Sequence, residues 1–399
     1  MTKESARVER LLRLPPLLRG GFRPFFLGGA IWAMVVVGMW TAAFNGWIVI
    51  PSRFDGLAWH RHEMLFGYLA AVICGFLMTA IPNWTGRFPV SGRPLAAFVA
   101  LWLAARLAVL FSGVVGFVPA FGLDVGFLLV LTLFAAREIF AARNRNVPIV
   151  VVLALLTLAS ALDYAELAGL GVPAGLGWRM GFAMVLLLVG LIGGRIIPSF
   201  TRNWLMKTRP GGRMPFLPNR FDQASLAAMA IALASWAAMP LSVVTAALLG
   251  LAALLQAVRL SRWCGLSTRA EPIVFVLHIA YAWLPLGLAL LTASHFVAAI
   301  PASAALHALS AGAIASMTLA VMTRASLGHT GRALIATPAT LAIYTLVTLG
   351  AVLRVGAYYL PLDYALALDL AAAVWGAAFA MFVIAYIPLL ARPRPDGRP

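Results

Sequence analysis

Twelve apolar runs, each long enough to cross a bilayer, constrain this chain more than any other feature. They lie near 25–48, 61–82, 95–117, 121–141, 147–168, 178–198, 221–239, 242–258, 272–293, 303–323, 334–357 and 364–390, with Pro240 separating the seventh from the eighth. A crossing takes about 20 mostly apolar residues over a hydrocarbon core of about 30 Å. Inside that core no water is available to the backbone, so only helices or closed barrels can span it. Runs of this length predict an all-α polytopic membrane bundle of about twelve transmembrane helices. At 62% hydrophobic, 11% charged and a mean hydropathy of +0.94, the composition lies outside the soluble class.

The net charge of +17 would suit a nucleic-acid binder if it were spread over one face. Instead, most of the 30 basic residues fall in the N-terminal arm, in alternate loops and in the tail, which is the positive-inside pattern. That pattern predicts both termini in the cytoplasm, even-numbered spans running from outside to inside, and no nucleic-acid partner. Arg53, Arg61 and Arg179 fall on the other side. The basic arm before the first span superficially resembles a signal peptide, but the span is too long and no small-residue cleavage site follows a short apolar core. The organisation expected is a cytoplasmic basic arm at 1–24, one transmembrane domain at 25–390, and a disordered Pro- and Arg-rich tail at 391–399. Cys74 and Cys264 form no CxxC pattern and no disulfide framework, and Cys74 reads as packing.

The second span opens on Trp59-His60-Arg61-His62-Glu63-Met64-Leu65-Phe66-Gly67. Two histidines and a glutamate at the mouth of a membrane helix are expensive and mark a functional site by default. The span closes on Thr85-Gly86-Arg87, and similar phrases, Thr201-Arg202 and Thr330-Gly331-Arg332, end two later runs. Counting 23 residues back from Thr85, Thr201 and Thr330 gives His62, Trp178 and His307, and Gly67 and Gly312 also fall at matching offsets. This predicts an internal repeat in which two of three equivalent helices carry a histidine at the same height. A helix of that length rises about 34 Å, so each histidine lies near one face and each Thr-Arg pair near the other.

Equivalent position makes His62 and His307 candidates for two axial ligands of one haem. On a regular helix His60 and His62 point about 200° apart, whereas His60 and Glu63 differ by about 60°. His60 with Glu63, assisted by His278 or His295, would therefore suit a separate non-haem metal, with iron, copper and zinc all compatible with those ligand types. Each histidine also has a plain reading: an interfacial polar residue for His295, a turn for His329, a proton relay or interhelical hydrogen bond for His278. Arg106, near mid-membrane, needs a partner, with Asp163 and Glu166 on the fifth span as candidates. Arg354, level with His62 and His307, pairs either with Asp363 or Asp369 or with the propionates of a haem. Trp47, Trp59, Trp84, Trp102 and Trp204 read as interfacial belts. No phosphate-binding loop, nucleophile elbow or nucleotide fingerprint is present.

The phrases Gly21-Phe22-Arg23-Pro24-Phe25-Phe26, Trp59 to Gly67, Ile81-Pro82-Asn83-Trp84-Thr85-Gly86, Gly194-Arg195-Ile196-Ile197-Pro198-Ser199-Phe200-Thr201-Arg202-Asn203 and Met322-Thr323-Arg324-Ala325-Ser326-Leu327-Gly328-His329-Thr330-Gly331-Arg332 resemble the NnrS family almost from end to end. The resemblance implies a bacterial inner-membrane protein containing haem and copper, linked to nitric oxide metabolism and resistance to nitrosative stress. The layout also resembles the haem-copper oxidase and nitric oxide reductase architecture, which implies twelve spans in a pseudo-threefold repeat of four helices with haem-binding histidines on the second and tenth. It departs from it in having Trp178 where the sixth span would carry a histidine, no histidine on the seventh, and only His307 on the tenth, so an oxidase-type copper site is not expected.

On this reading the protein is a nitric oxide reductase-like oxidoreductase using haem b, with copper or non-haem iron as a second centre. Glu63 and His60 are then the catalytic candidates, His60, His62, His278 and His307 the metal ligands, and Arg354 a cofactor contact. Its partners are nitric oxide, membrane lipid, and an electron donor such as a quinol or a periplasmic redox protein. Two other functions fit the same residues: a non-catalytic haem-based nitric oxide binder or sensor, and a twelve-span secondary transporter.

Overall fold

Backbone polar groups in lipid must be satisfied within the chain, and this chain satisfies them by helix. A computed structural model describes residues 9–398; residues 1–8 of the basic arm and Pro399 lie outside the described residues. Among the described residues there are no strands, and twelve helices are long and apolar enough to cross a membrane. They are α1 (Phe22–Phe44), α2 (Gly56–Thr85), α3 (Arg93–Leu110), α4 (Phe117–Ala141), α5 (Val147–Leu167), α6 (Leu176–Thr208), α7 (Arg220–Ala238), α8 (Val243–Ser261), α9 (Pro272–Ala293), α10 (Ala302–His329), α11 (Pro338–Gly356) and α12 (Tyr364–Ala391). The seventh and eighth spans are both present, on either side of Pro240.

Local chemistry explains the ends. Asp55 starts α2 by accepting from the Leu57 and Ala58 N–H groups at 2.9 Å each. Asn219 and Asp222 form a reciprocal capping box at the start of α7. Proline opens α3, α5, α9 and α11, where its missing N–H costs nothing. The recurring Thr-Gly-Arg phrase is a helix stop. Gly86 and Gly331 have φ of +68° and +71°, the left-handed turn that ends many helices. Just before them, the hydroxyls of Thr85 and Thr330 donate to Ile81 O and Ser326 O. The third phrase lacks the glycine, and α6 runs on past Thr201 to Thr208 rather than ending near 198.

The described chain forms two compact units. The first holds the residues through Gly181, Met322–Leu334, and those from Phe379 on; the second holds Phe182–Val321 and Ile335–Ala378. In the first, α1 packs on α2, α3 on α4, and α4 on α5. The buried Arg23 guanidinium donates to Leu390 O at 2.6 Å and Arg392 O at 2.9 Å, capping the end of α12. Arg394 pairs with Asp396 at 2.6 Å and donates to His329 O at the end of α10. In the second unit α7 packs on α8 and α8 on α9. Its buried Arg259 is satisfied by Asp222, Gly190 O and the Tyr281 hydroxyl.

Two helices share an irregularity. In α2 the residues Glu63–Tyr68, and in α10 the residues Ala308–Ile314, form a π-helical turn, and each turn begins immediately after a histidine, His62 or His307. Gly67 and Gly312, each five positions beyond its histidine, lie inside these turns. Such turns widen a helix locally and recur at functional sites. The helix α6, which carries Trp178 at the corresponding position, is regular through that stretch.

Candidate functional site

The π-turn of α2 lies in the first unit among α1, α3 and the rest of α2, and it carries the densest buried charge in that unit. Glu63 takes both its carboxylate oxygens to Nη1 of Arg106, at 2.9 Å each, and accepts the indole N–H of Trp32 at 2.5 Å. Nη2 of Arg106 pairs with Asp124 of α4. Asp124 also accepts the Ser160 hydroxyl at 2.9 Å and bonds to Nε2 of His62 at 3.0 Å. Nδ1 of His62 bonds to Asp163 of α5 at 2.8 Å. Four spans thus contribute to one chain of contacts, Asp163 to His62 to Asp124 to Arg106 to Glu63.

The backbone makes room for this. A Cβ on Gly67 would fall 2.5 Å from Glu63 Oε2 and 2.7 Å from Arg106 Nη1, so only glycine fits there. The Gly67 carbonyl is satisfied by the Trp102 indole at 3.0 Å. Trp102 and Trp59 are buried at 5% and 0% exposure and are not members of an interfacial belt. Phe54 stacks on the His62 ring at 4.6 Å and Tyr164 meets it edge-on at 5.2 Å, walling off the imidazole. The side chains of His62, Glu63, Arg106 and Asp124 are wholly buried, whereas 11% of the Asp163 side chain is exposed. Asp163 is the opening of the cluster.

Arg106 is not paired with Asp163 or Glu166, as the sequence suggested. Asp163 bonds to His62 instead, and Asp124 and Glu63 neutralise the guanidinium. Sequence reasoning missed Asp124. Its signal was present: a lone aspartate in the apolar run of α4 is as costly as a lone arginine in α3, and one hairpin joins them.

The other predicted residues separate. His60, one turn before the cluster, stacks on Trp40 at 5.3 Å, while Glu63 turns to Arg106. His278 of the second unit bonds through Nε2 to the Thr201 hydroxyl at 2.8 Å; its Nδ1 has no hydrogen-bond partner and faces Gly265, where a Cβ would lie 2.7 Å away. His295 is held by Leu291 O and Pro240 O. His307 uses Nδ1 to donate to Ser303 O at 2.7 Å. The Ser303 hydroxyl meets the Tyr358 hydroxyl at 3.0 Å, and Tyr358 and Tyr364 both lie beside Arg354, whose buried Nη1 is unpartnered. The second unit therefore brings His307 and Arg354 into one neighbourhood.

These environments test the fit of a haem. A ligating histidine usually donates Nδ1–H to a backbone carbonyl and turns Nε2 to the metal, and the Nδ1 contact of His307 with Ser303 O is of that kind. Arg354, with a buried unpartnered donor and tyrosines rather than a carboxylate beside it among the described residues, suits an anionic group such as a propionate. His62 does not fit in this way, because both ring nitrogens are committed to carboxylates and ligation would break one bond. No group of three or more His, Cys, Asp or Glu side chains among the described residues is arranged to hold a metal ion.

A search of curated proteins returned no match. A family model described as NnrS protein matches residues 16–394, nearly the whole chain.

Proposed function

The chain belongs to the NnrS family, and from that premise we propose that it is a haem-containing membrane oxidoreductase that reduces nitric oxide with protons supplied through Asp163, His62 and Asp124. Family membership supports a membrane protein associated with nitric oxide; the haem and the turnover are the reading advanced here. The observation that carries it is the buried cluster. Five ionisable groups held in a membrane bundle are costly unless they serve a function, and this one leads from a partly exposed acid to wholly buried ones.

Joining two nitric oxide molecules forms an N–N bond, breaks one N–O bond, and consumes two electrons and two protons to give nitrous oxide and water. Haem, when bound, supplies the one-electron chemistry at iron. His307 would hold that iron and Arg354 a propionate. His62 acts as the proton bridge, because an imidazole bonded at both nitrogens accepts a proton on one and releases one from the other. Arg106 holds Glu63 and Asp124 in place, and Phe54 and Tyr164 keep bulk water from the ring. Glu63, held beyond Arg106, is the carboxyl this reading assigns to acid–base work within the first unit. No step is assigned to copper or non-haem iron. The alternation of basic loops supports a bacterial inner-membrane protein with both termini in the cytoplasm and the His62 end of α2 on the outer side.

The test is a visible spectrum of the purified protein followed by anaerobic nitric oxide consumption with a reductant. The expected result is a Soret band, lost in His307→Ala. Glu63→Gln and Asp163→Asn should keep the band and lower consumption about 100-fold or more, the usual scale for a missing proton donor. A protein without a Soret band overturns the reading. Nitric oxide binding without consumption would make the protein a binder, and unchanged consumption in both variants would remove the proton chain.

A further inference from the structure

By the charge pattern, Arg53, Arg61 and Arg179 are loop-proximal cations on the side of the membrane that is otherwise poor in them. Two of the three meet on a single ring. In the first unit the guanidinium carbon of Arg61, on α2, lies 5.0 Å from the ring centroid of Trp178, and that of Arg179, on α6, lies 5.8 Å from it. Each contact is favourable alone, but two guanidiniums around one ring repel each other.

The cations are unequally compensated. Glu166 acts electrostatically on Arg179, and its Oε2 also accepts the Gly175 N–H at 2.8 Å. Among the described residues Arg61 has no carboxylate or hydrogen-bond partner, and its Nε is buried. Gly175 has φ +72°, and a Cβ there would fall 2.6 Å from both Arg179 Nη1 and Trp178 Nε1, so the two donors converge beside it. The scaffold is close-packed. A Cβ on Gly177 would lie 2.4 Å from Asp163 N, and one on Gly181 would lie 2.7 Å from the Phe66 ring, which seats the start of α6 directly on α5 and α2.

We propose that Arg61, Trp178 and Arg179 form a binding site for a phosphate oxyanion. Planar guanidinium forks present paired N–H groups that match phosphate oxygens, and the anion would supply the charge that Arg61 lacks. The start of α6 lies where a spanning helix reaches the polar boundary of the bilayer, so a phospholipid headgroup and a free phosphate are both at hand. The site does not depend on the haem reading.

The experiment uses the full chain, wild type and Arg61→Gln, each shown to be monodisperse. One arm measures phospholipid retained per protein after exhaustive detergent washing; the other measures thermal stabilisation of delipidated protein by inorganic phosphate against chloride at constant ionic strength. The wild type should retain at least one more phospholipid than the variant, or show saturable stabilisation by phosphate that weakens at least tenfold in the variant. Retention identifies the headgroup as the source, and stabilisation identifies free phosphate. Should Arg61→Gln fail to fold, Trp178→Phe, which keeps an aromatic face and deletes the indole N–H, is read in the same two arms. Equal phospholipid content together with an equal phosphate response in wild type and variant overturns the proposal.

Discussion

The helices α2 and α10 use one backbone device for two different ends. Each places a histidine immediately before a π-turn, a glycine five residues later, and a Thr-Gly-Arg stop at its far end. Each packs its π-turn against the preceding and the following span, α1 and α3 in one case and α9 and α11 in the other. The surroundings then diverge. At α2 the neighbours bring Arg106, Asp124 and Asp163, and the histidine is buried with both nitrogens bonded to carboxylates. At α10 they bring Tyr358 and Arg354, and His307 rests its Nδ1 on the carbonyl of its own preceding turn. The π-turn fixes where a side chain can project; the neighbouring segments decide what surrounds it, carboxylates at His62 and the Tyr358–Arg354 neighbourhood at His307.

That contrast is broken most severely by Arg106→Ala. The change leaves Glu63 and Asp124 buried without their cation, and losing one partner of a buried pair costs about 3–5 kcal/mol. Thermal unfolding and the yield of folded protein should both fall sharply. Arg354→Ala, which strands no carboxylate, should cost far less; equal losses at the two sites would erase the distinction between the neighbourhoods.

A pair of glycine changes sharpens it at intermediate scale. In Gly67→Ala the new methyl meets Glu63 and Arg106, and in Gly312→Ala it meets the Trp283 ring, 2.6 Å from the built Cβ. Overpacking of this kind costs about 1–3 kcal/mol, so both variants should melt earlier. Because only Gly67→Ala displaces the acid, it alone should also depress nitric oxide consumption in protein that retains its Soret band. A Gly67→Ala protein as stable and active as wild type would mean that the close approach at the π-turn is not required.

The smallest effect concerns the far ends. The stop of α2 is completed by its own Gly86, whose N–H donates to Pro82 O, whereas the end of α10 also receives Arg394 from the tail. The Asp396 carboxyl is held down to about 2 by its hydrogen bond from Arg394. A carboxyl lowered on folding contributes through the neutral range and loses that contribution only as pH falls toward its folded value. The pair is exposed and therefore weak. Asp396→Asn should leave the melting temperature at neutral pH within error, and a drop of several degrees would show that the tail is needed to hold α10.

The spans were legible because lipid imposes length and apolarity on every one of them. The ninth is found at 272–293 in both the sequence and the structure, and the seventh and eighth, divided by a single proline, are both present. The Thr-Gly-Arg phrase was visible as a recurrence, and its meaning as a left-handed helix stop needed φ angles. The π-turns were invisible: their sequences, Glu63–Tyr68 and Ala308–Ile314, are as apolar as the regular helix around them, so periodicity carries no mark of one extra residue. The cluster was half legible. Glu63, His62 and Arg106 stood out by their cost in lipid, but the rule that charge needs a partner was applied to the arginine and not to Asp124.

The cap that Arg23 places on the end of α12 bears on the order in which the protein is made. The first unit takes in residues from both ends of the chain, with the second unit between them, so a nascent chain that has inserted α1 to α5 still lacks the carbonyls of Leu390 and Arg392. Until the last helix leaves the ribosome, a guanidinium destined for burial has to wait at the membrane surface, where water and headgroups can solvate it. Assembly of the first unit is therefore a late, post-translational closure, and a chain stopped before α12 would be expected to go to quality-control proteolysis with Arg23 lacking its carbonyls.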